Sequence, residues 1–116
     1  TDAELENISL RNMIRALFPL QVRMETPIEK IEQFRDEVKY LLLQHPDVVQ
    51  DPAPMVRIDR ITDAGIELQF LFFINTIDAD VFSTKREEIL LEILRKARVL
   101  DIRFDTKTQE FTINRP

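Results

Sequence analysis

The way apolar periodicity changes along this chain predicts an α+β fold, with an antiparallel sheet covered on one face by two helices. Three observations carry that expectation. Residues 28–42 and 82–97 repeat their apolar side chains at helical spacing. Shorter runs with strand-like patterning lie before, between and after these two stretches. The single glycine, Gly65, separates two such runs, residues 55–61 and 66–74, and marks them as a hairpin.

Each element has its own justification. In residues 1–16, Leu5, Ile8, Leu10, Met13 and Ile14 follow neither period, so this stretch is read as an N-terminal arm and residues 17–116 as the domain proper. Residues 18–25 alternate. Phe18, Leu20, Val22 and Met24 share one face and Pro19, Gln21, Arg23 and Glu25 the other, the pattern of a half-buried strand, with Pro19 confining its start to an edge or an end. Thr26-Pro27-Ile28-Glu29 then reads as a helix start: threonine N-cap, proline where no N–H is missed, and glutamate three residues after the cap. Ile28, Ile31, Phe34, Val38, Leu41 and Leu42 form the expected buried stripe, and His45-Pro46 ends the helix because proline excludes its predecessor from the α region.

After a proline-containing loop comes the hairpin, whose residues Thr62, Asp63, Ala64 and Gly65 suit a short connection with positive φ at its last position. The second strand has one apolar face over residues 66–70 and two over residues 71–74, so something other than solvent covers the second face at that end. Asp78-Ala79-Asp80 opens a second helix with Phe82, Ile89, Leu90, Ile93, Leu94 and Ala97 toward the core. Residues 102–104 and 111–113 are short strand candidates. The resulting order, β-α-β-β-α-β, is the split β-α-β pattern of a ferredoxin-like sandwich. Its second sheet face is open, polar at Gln21, Arg23, Glu67 and Gln69 and apolar at Leu71 and Phe73.

Composition narrows the function. The chain has 116 residues, 44% hydrophobic and 32% charged, enough for one domain with its own core. A net charge of −5 with scattered basic residues disfavours nucleic acid and anionic membrane as partners, which demand concentrated positive charge. Without cysteine there is neither a disulfide framework nor a thiolate metal site. No apolar stretch approaches the roughly 20 residues that span a bilayer. The chain opens Thr1-Asp2-Ala3 without a signal peptide and is read as an excised fragment or a processed chain.

No catalytic constellation is visible, and neither a cofactor nor a metal is expected. His45 is the only histidine and sits where a helix C-cap belongs. Asp78 and Asp80 could be imagined on a hard cation, yet the start of a helix calls for them as N-cap and dipole partners. One glycine cannot build a phosphate loop, and Asn7-Ile8-Ser9 is taken as a chance match to a glycosylation pattern. What remains is the apolar excess. Leu71, Phe73, Phe111 and Ile113 are the candidate subunit interface, or else core residues of a sheet whose second face is partly covered by the N-terminal arm.

Taken together, residues 6–11 (Glu6-Asn7-Ile8-Ser9-Leu10-Arg11), Thr26-Pro27 opening a helix that ends in Leu41-Leu42-Leu43-Gln44-His45-Pro46-Asp47-Val48, and Asp63-Ala64-Gly65-Ile66-Glu67-Leu68 resemble the cytoplasmic C-terminal region of the small-conductance mechanosensitive ion channel (MscS) family. The resemblance covers residues 6–104. It implies that the arm ends a preceding β-domain and that residue 18 opens a ferredoxin-like α/β domain. It further implies a homo-oligomer, a heptamer in the full-length channel, whose cytoplasmic regions form a hollow vestibule below a membrane part missing from this chain. The role implied is non-enzymatic: assembly and filtering of ions or osmolytes. Residues 99–105 depart from the family, whose members carry a Gly-Ile step and a Pro-Phe-Pro-like segment there. A regulatory domain that binds a small molecule at a sheet edge or subunit interface is the alternative expectation.

Overall fold

The computed structural model describes residues 12–104. Strand β1 (Ile14–Val22) leads to helix α1 (Ile28–Gln44), strands β2 (Met55–Thr62) and β3 (Gly65–Ile74) form the hairpin, and helix α2 (Ala79–Val99) follows. The three strands make one antiparallel sheet in the order β1-β3-β2. Ile102-Arg103-Phe104 makes a single antiparallel bridge, Val22 with Phe104, on the free edge of β1. Arg23 N–H donates to the Arg103 carbonyl beside it at 3.0 Å. A fourth strand in a ferredoxin-like sheet would occupy that edge, and the strand expected at residues 111–113 lies outside the described residues.

β3 is the template of the sheet. Nine of its ten residues pair with the whole of β1, from Ile14 opposite Ile74 to Val22 opposite Ile66. That corrects the expected first strand, residues 18–25, at both ends. The alternation runs back through Ala16 to Ile14, where β3 still offers partners. Past Val22 the partner strand is running out, and the chain turns away. Met24, expected in the core, is in that turn and 49% exposed.

The turn also explains why the capping expectation fails at α1. The Thr26 hydroxyl donates back to the Arg23 carbonyl at 2.6 Å, and the Thr26 N–H donates to the same oxygen at 3.1 Å. The N-cap position falls on Pro27 with no side-chain cap. Ile28, at the overhanging first turn, is 71% exposed rather than buried. Ile31, Phe34, Val38 and Leu42 carry the buried stripe instead. At the other end His45 is the C-cap, its N–H donating to the Leu42 carbonyl and its Nδ1 accepting from the Asp47 N–H.

In the hairpin Thr62 pairs with Gly65, leaving Asp63 and Ala64 as a two-residue connection. The Thr62 hydroxyl accepts from the Ala64 N–H and donates to the Gly65 carbonyl. Gly65 has φ +146°, and a Cβ there would collide with the carbonyl oxygen of Val22. Glycine is therefore required twice, by the backbone angle and by the approach of β1. Within β2 the register slips between Ile58 and Arg60, so Asp59 bulges out of the ladder.

The core fills the space between the sheet and the helices. Phe34, Phe70, Phe72, Leu68, Ile89 and Ile93 are fully buried, and no charged or polar residue is buried with them among the described residues. Phe70 stacks on Phe18 at 5.2 Å, while Phe34 meets Phe70 and Phe104 edge-on at 6.5 and 6.4 Å. Each such ring contributes about 1.5–3 kcal/mol through burial. Helix α2 buries Ile89, Ile93 and Ala97, whereas Leu94, expected inside, is 40% exposed. Its start is as expected: the Asp78 carboxylate accepts from the Asp80 and Val81 N–H groups at 2.8 and 3.1 Å.

Candidate functional site

Strand alternation sends the even-numbered residues of β1 and β3 toward the helices and the odd-numbered ones to the opposite face. Cross-strand register arranges that opposite face in rows. Arg15 lies opposite Phe73; Leu17 and Met55 flank Leu71; Pro19 and Arg57 flank Gln69; Gln21 and Arg60 flank Glu67. The last row is a polar cluster, in which Gln21 Nε2 donates to Glu67 Oε1 at 3.4 Å and Arg60 Nε lies 3.9 Å from Glu67 and 3.4 Å from Asp59. Two rows away the surface is apolar. Leu71, Phe73 and Met55 are half-buried and Leu17 is 45% exposed.

Leu71 and Phe73 thus sit side by side on the helix-free face, at one end of it, with Gln69 and Glu67 at the polar end. Phe111 and Ile113 lie outside the described residues. Leu17 and Met55, which complete the patch, were not singled out from the sequence. The signal was present, since Leu17 has the parity of Pro19 and Gln21, but it fell at the boundary assigned to the arm. Arg23, expected on this face, instead leaves the sheet one residue past β1 and pairs with Glu25 at 3.9 Å. Gln69 Oε1, in the row between patch and polar end, is shielded from solvent without a hydrogen-bond partner among the described residues.

The remaining candidates have local duties. His45 and Asp78 cap their helices. Among the described residues no three histidine, cysteine, aspartate or glutamate side chains gather where a metal ion could be held. An open cleft of ≈ 290 Å³ lies where β1 turns into α1, with Arg23, Lys30 and Arg103 among its lining groups. Glu25 and Asp101 engage two of those cations, at 3.9 and 3.5 Å, which leaves it nearly neutral. No helix among the described residues is long and apolar enough to cross a membrane.

The described residues thus form a two-layer α+β domain whose helix-free sheet face is apolar at one end and polar at the other. Residues 16–104 match the family described as the mechanosensitive ion channel MscS, C-terminal, and the chain belongs to that family. It is 29% identical over 90 residues to an uncharacterized MscS family protein of Aquifex aeolicus, an alignment spanning 78% of this chain and 24% of that protein. It is 26% identical over 92 residues to the small-conductance mechanosensitive channel MscMJ of Methanocaldococcus jannaschii, spanning 79% of this chain and 26% of that channel. The chain therefore spans about a quarter of the length of these curated relatives. A cryo-EM structure of Arabidopsis thaliana MSL1 shares the fold, with TM-score 0.72 and 16% identity over 80% of this chain and 34% of that one.

Proposed function

We propose that this chain is the cytoplasmic C-terminal domain of a mechanosensitive channel, that it catalyses no reaction, and that it supports subunit assembly and forms part of the vestibule through which permeating solutes pass. The observation that carries this reading is the family match over residues 16–104. The apolar end of the open sheet face supports the assembly role, because a surface with Leu17, Met55, Leu71 and Phe73 side by side gains by leaving water. Homo-oligomerisation, as a heptamer in the whole channel, follows from the same reading, as does a preceding β-domain ending in residues 1–16. Membrane tension is then sensed by segments that this chain does not contain. The test is to express the full-length gene in cells lacking their own mechanosensitive channels and to apply osmotic downshock with patch recording. Survival and tension-gated conductance are expected; the absence of both sinks the proposal.

A small-molecule regulatory domain is the second reading, favoured only by the cleft beside Lys30. A ligand at 100 times its dissociation constant would stabilise the fold by about 2.7 kcal/mol, so a thermal-shift screen separates the two readings.

A further inference from the structure

We infer that His45 is a proton-operated clasp: neutral, its ring holds the loop after α1 against the end of β3, and protonated, it gives up that hold for the Asp47 carboxylate and loosens the tie between the loop and α2. His45 is the only histidine in the chain, and imidazole is the side chain whose ordinary titration falls between pH 5 and 8. It stands at the C-cap of α1, with its side chain 18% exposed.

The neutral ring is fixed by a hydrogen bond that a second proton cannot share. Nδ1 accepts from the Asp47 N–H at 3.1 Å, so the hydrogen of the ring belongs on Nε2. A proton added at Nδ1 sets two donors against each other. The Asp47 carboxylate is the acceptor beside it, with Oδ2 4.0 Å from Nδ1, and a modest turn of either side chain closes that gap to a hydrogen bond. The same oxygen is held by Lys85 Nζ of α2 at 3.3 Å, and Lys85 has Glu88 Oε1 at 3.9 Å as a second partner. Asp47 is therefore placed to pass from the ammonium to the imidazolium.

Charges of both signs meet at this corner. Asp47 faces the ring from the loop, with Lys85 and Glu88 behind it on α2. The last turn of α1 brings no charged side chain, and the end of β3 brings Phe73, Ile74 and Asn75. The carboxylate and the C-terminal end of α1 favour the imidazolium, while the Asp47 N–H and the Lys85 ammonium oppose it.

The loop backbone carries the exchange to the sheet. The Asp47 carbonyl accepts from the Asn75 N–H at 3.1 Å, the Val49 N–H donates to the Phe73 carbonyl at 2.8 Å, and Val48 bridges Ile74. Losing the bond at the Asp47 N–H frees the peptide unit next to the one that Asn75 holds. Because Phe73 lies on the helix-free face, proton uptake at His45 is felt at the apolar end of that face.

A single histidine gives a single ring signal to follow. Magnetic resonance of the isotope-labelled chain between about pH 8 and pH 5 is expected to show the Nε2–H tautomer at the upper end, with the Asp47, Val49 and Asn75 amide signals moving at the midpoint of the ring itself. Lys85→Met leaves Asp47 free for the imidazolium and moves that midpoint to higher pH; Asp47→Asn removes the charged acceptor and moves it to lower pH. His45→Gln abolishes the response of all three amides. An Nδ1–H tautomer at the upper end would overturn the inference, and so would amides that stay still while the ring titrates. A midpoint that neither Lys85→Met nor Asp47→Asn displaces rules out the exchange of partners. Amides that still titrate in His45→Gln assign the response to another group.

Discussion

Replacing Gly65 with alanine tests the argument about the hairpin most directly. At φ +146° an alanine occupies a region that L-residues rarely adopt, which costs about 1–3 kcal/mol. Its Cβ also meets the Val22 carbonyl oxygen, a backbone atom at the end of the β1–β3 ladder that cannot swing aside as a side chain could. Moving Val22 lengthens one or two ladder hydrogen bonds, at about 1 kcal/mol each. The sum is about 3 kcal/mol, against roughly 5–15 kcal/mol for a whole domain. For a domain of this size the melting temperature should fall by about 12–24 °C, read by circular dichroism on heating. A fall of less than about 2 °C would refute both the strain and the collision.

Other outcomes follow from the same packing. Phe34→Ala empties a fully buried site between Phe70 and Phe104 and should cost about 3–5 kcal/mol in denaturant unfolding. Leu71→Lys or Phe73→Lys should weaken self-association in sedimentation far more than it lowers the melting temperature; loss of the fold instead would return these residues to the core. Asp78→Ala removes a side chain that satisfies two helix N–H groups and should destabilise by about 1 kcal/mol. Thr26→Ala should cost less than about 0.5 kcal/mol, because its exposed hydroxyl closes a turn and caps nothing.

Much of the fold could be read locally because its signals are local. A stripe such as Ile31, Phe34, Val38 and Leu42 is recorded in spacing alone, and the glycine between two strand-like runs has few other uses. The errors gather at element ends. Residue 24 continues the alternation of β1 as well as residue 14 does, but only the latter has β3 alongside it. Thr26 and Asp78 look equally good as N-caps, and they part company because the chain at Thr26 must first turn out of the sheet. The candidate site follows the same division. Leu71 and Phe73 stood out as apolar residues with the wrong parity, whereas Leu17 and Met55 became part of the patch only through cross-strand register.

The sequence by itself determined the fold class, the hairpin at Gly65, the identity of both helices and the family, since these reside in periodicity and in short ordered motifs. The tertiary structure alone decided where β1 begins and ends and which residues complete the apolar patch. The physical reason is that these depend on which backbone lies beside which, and pairing between residues far apart in the chain leaves no periodic trace in either partner.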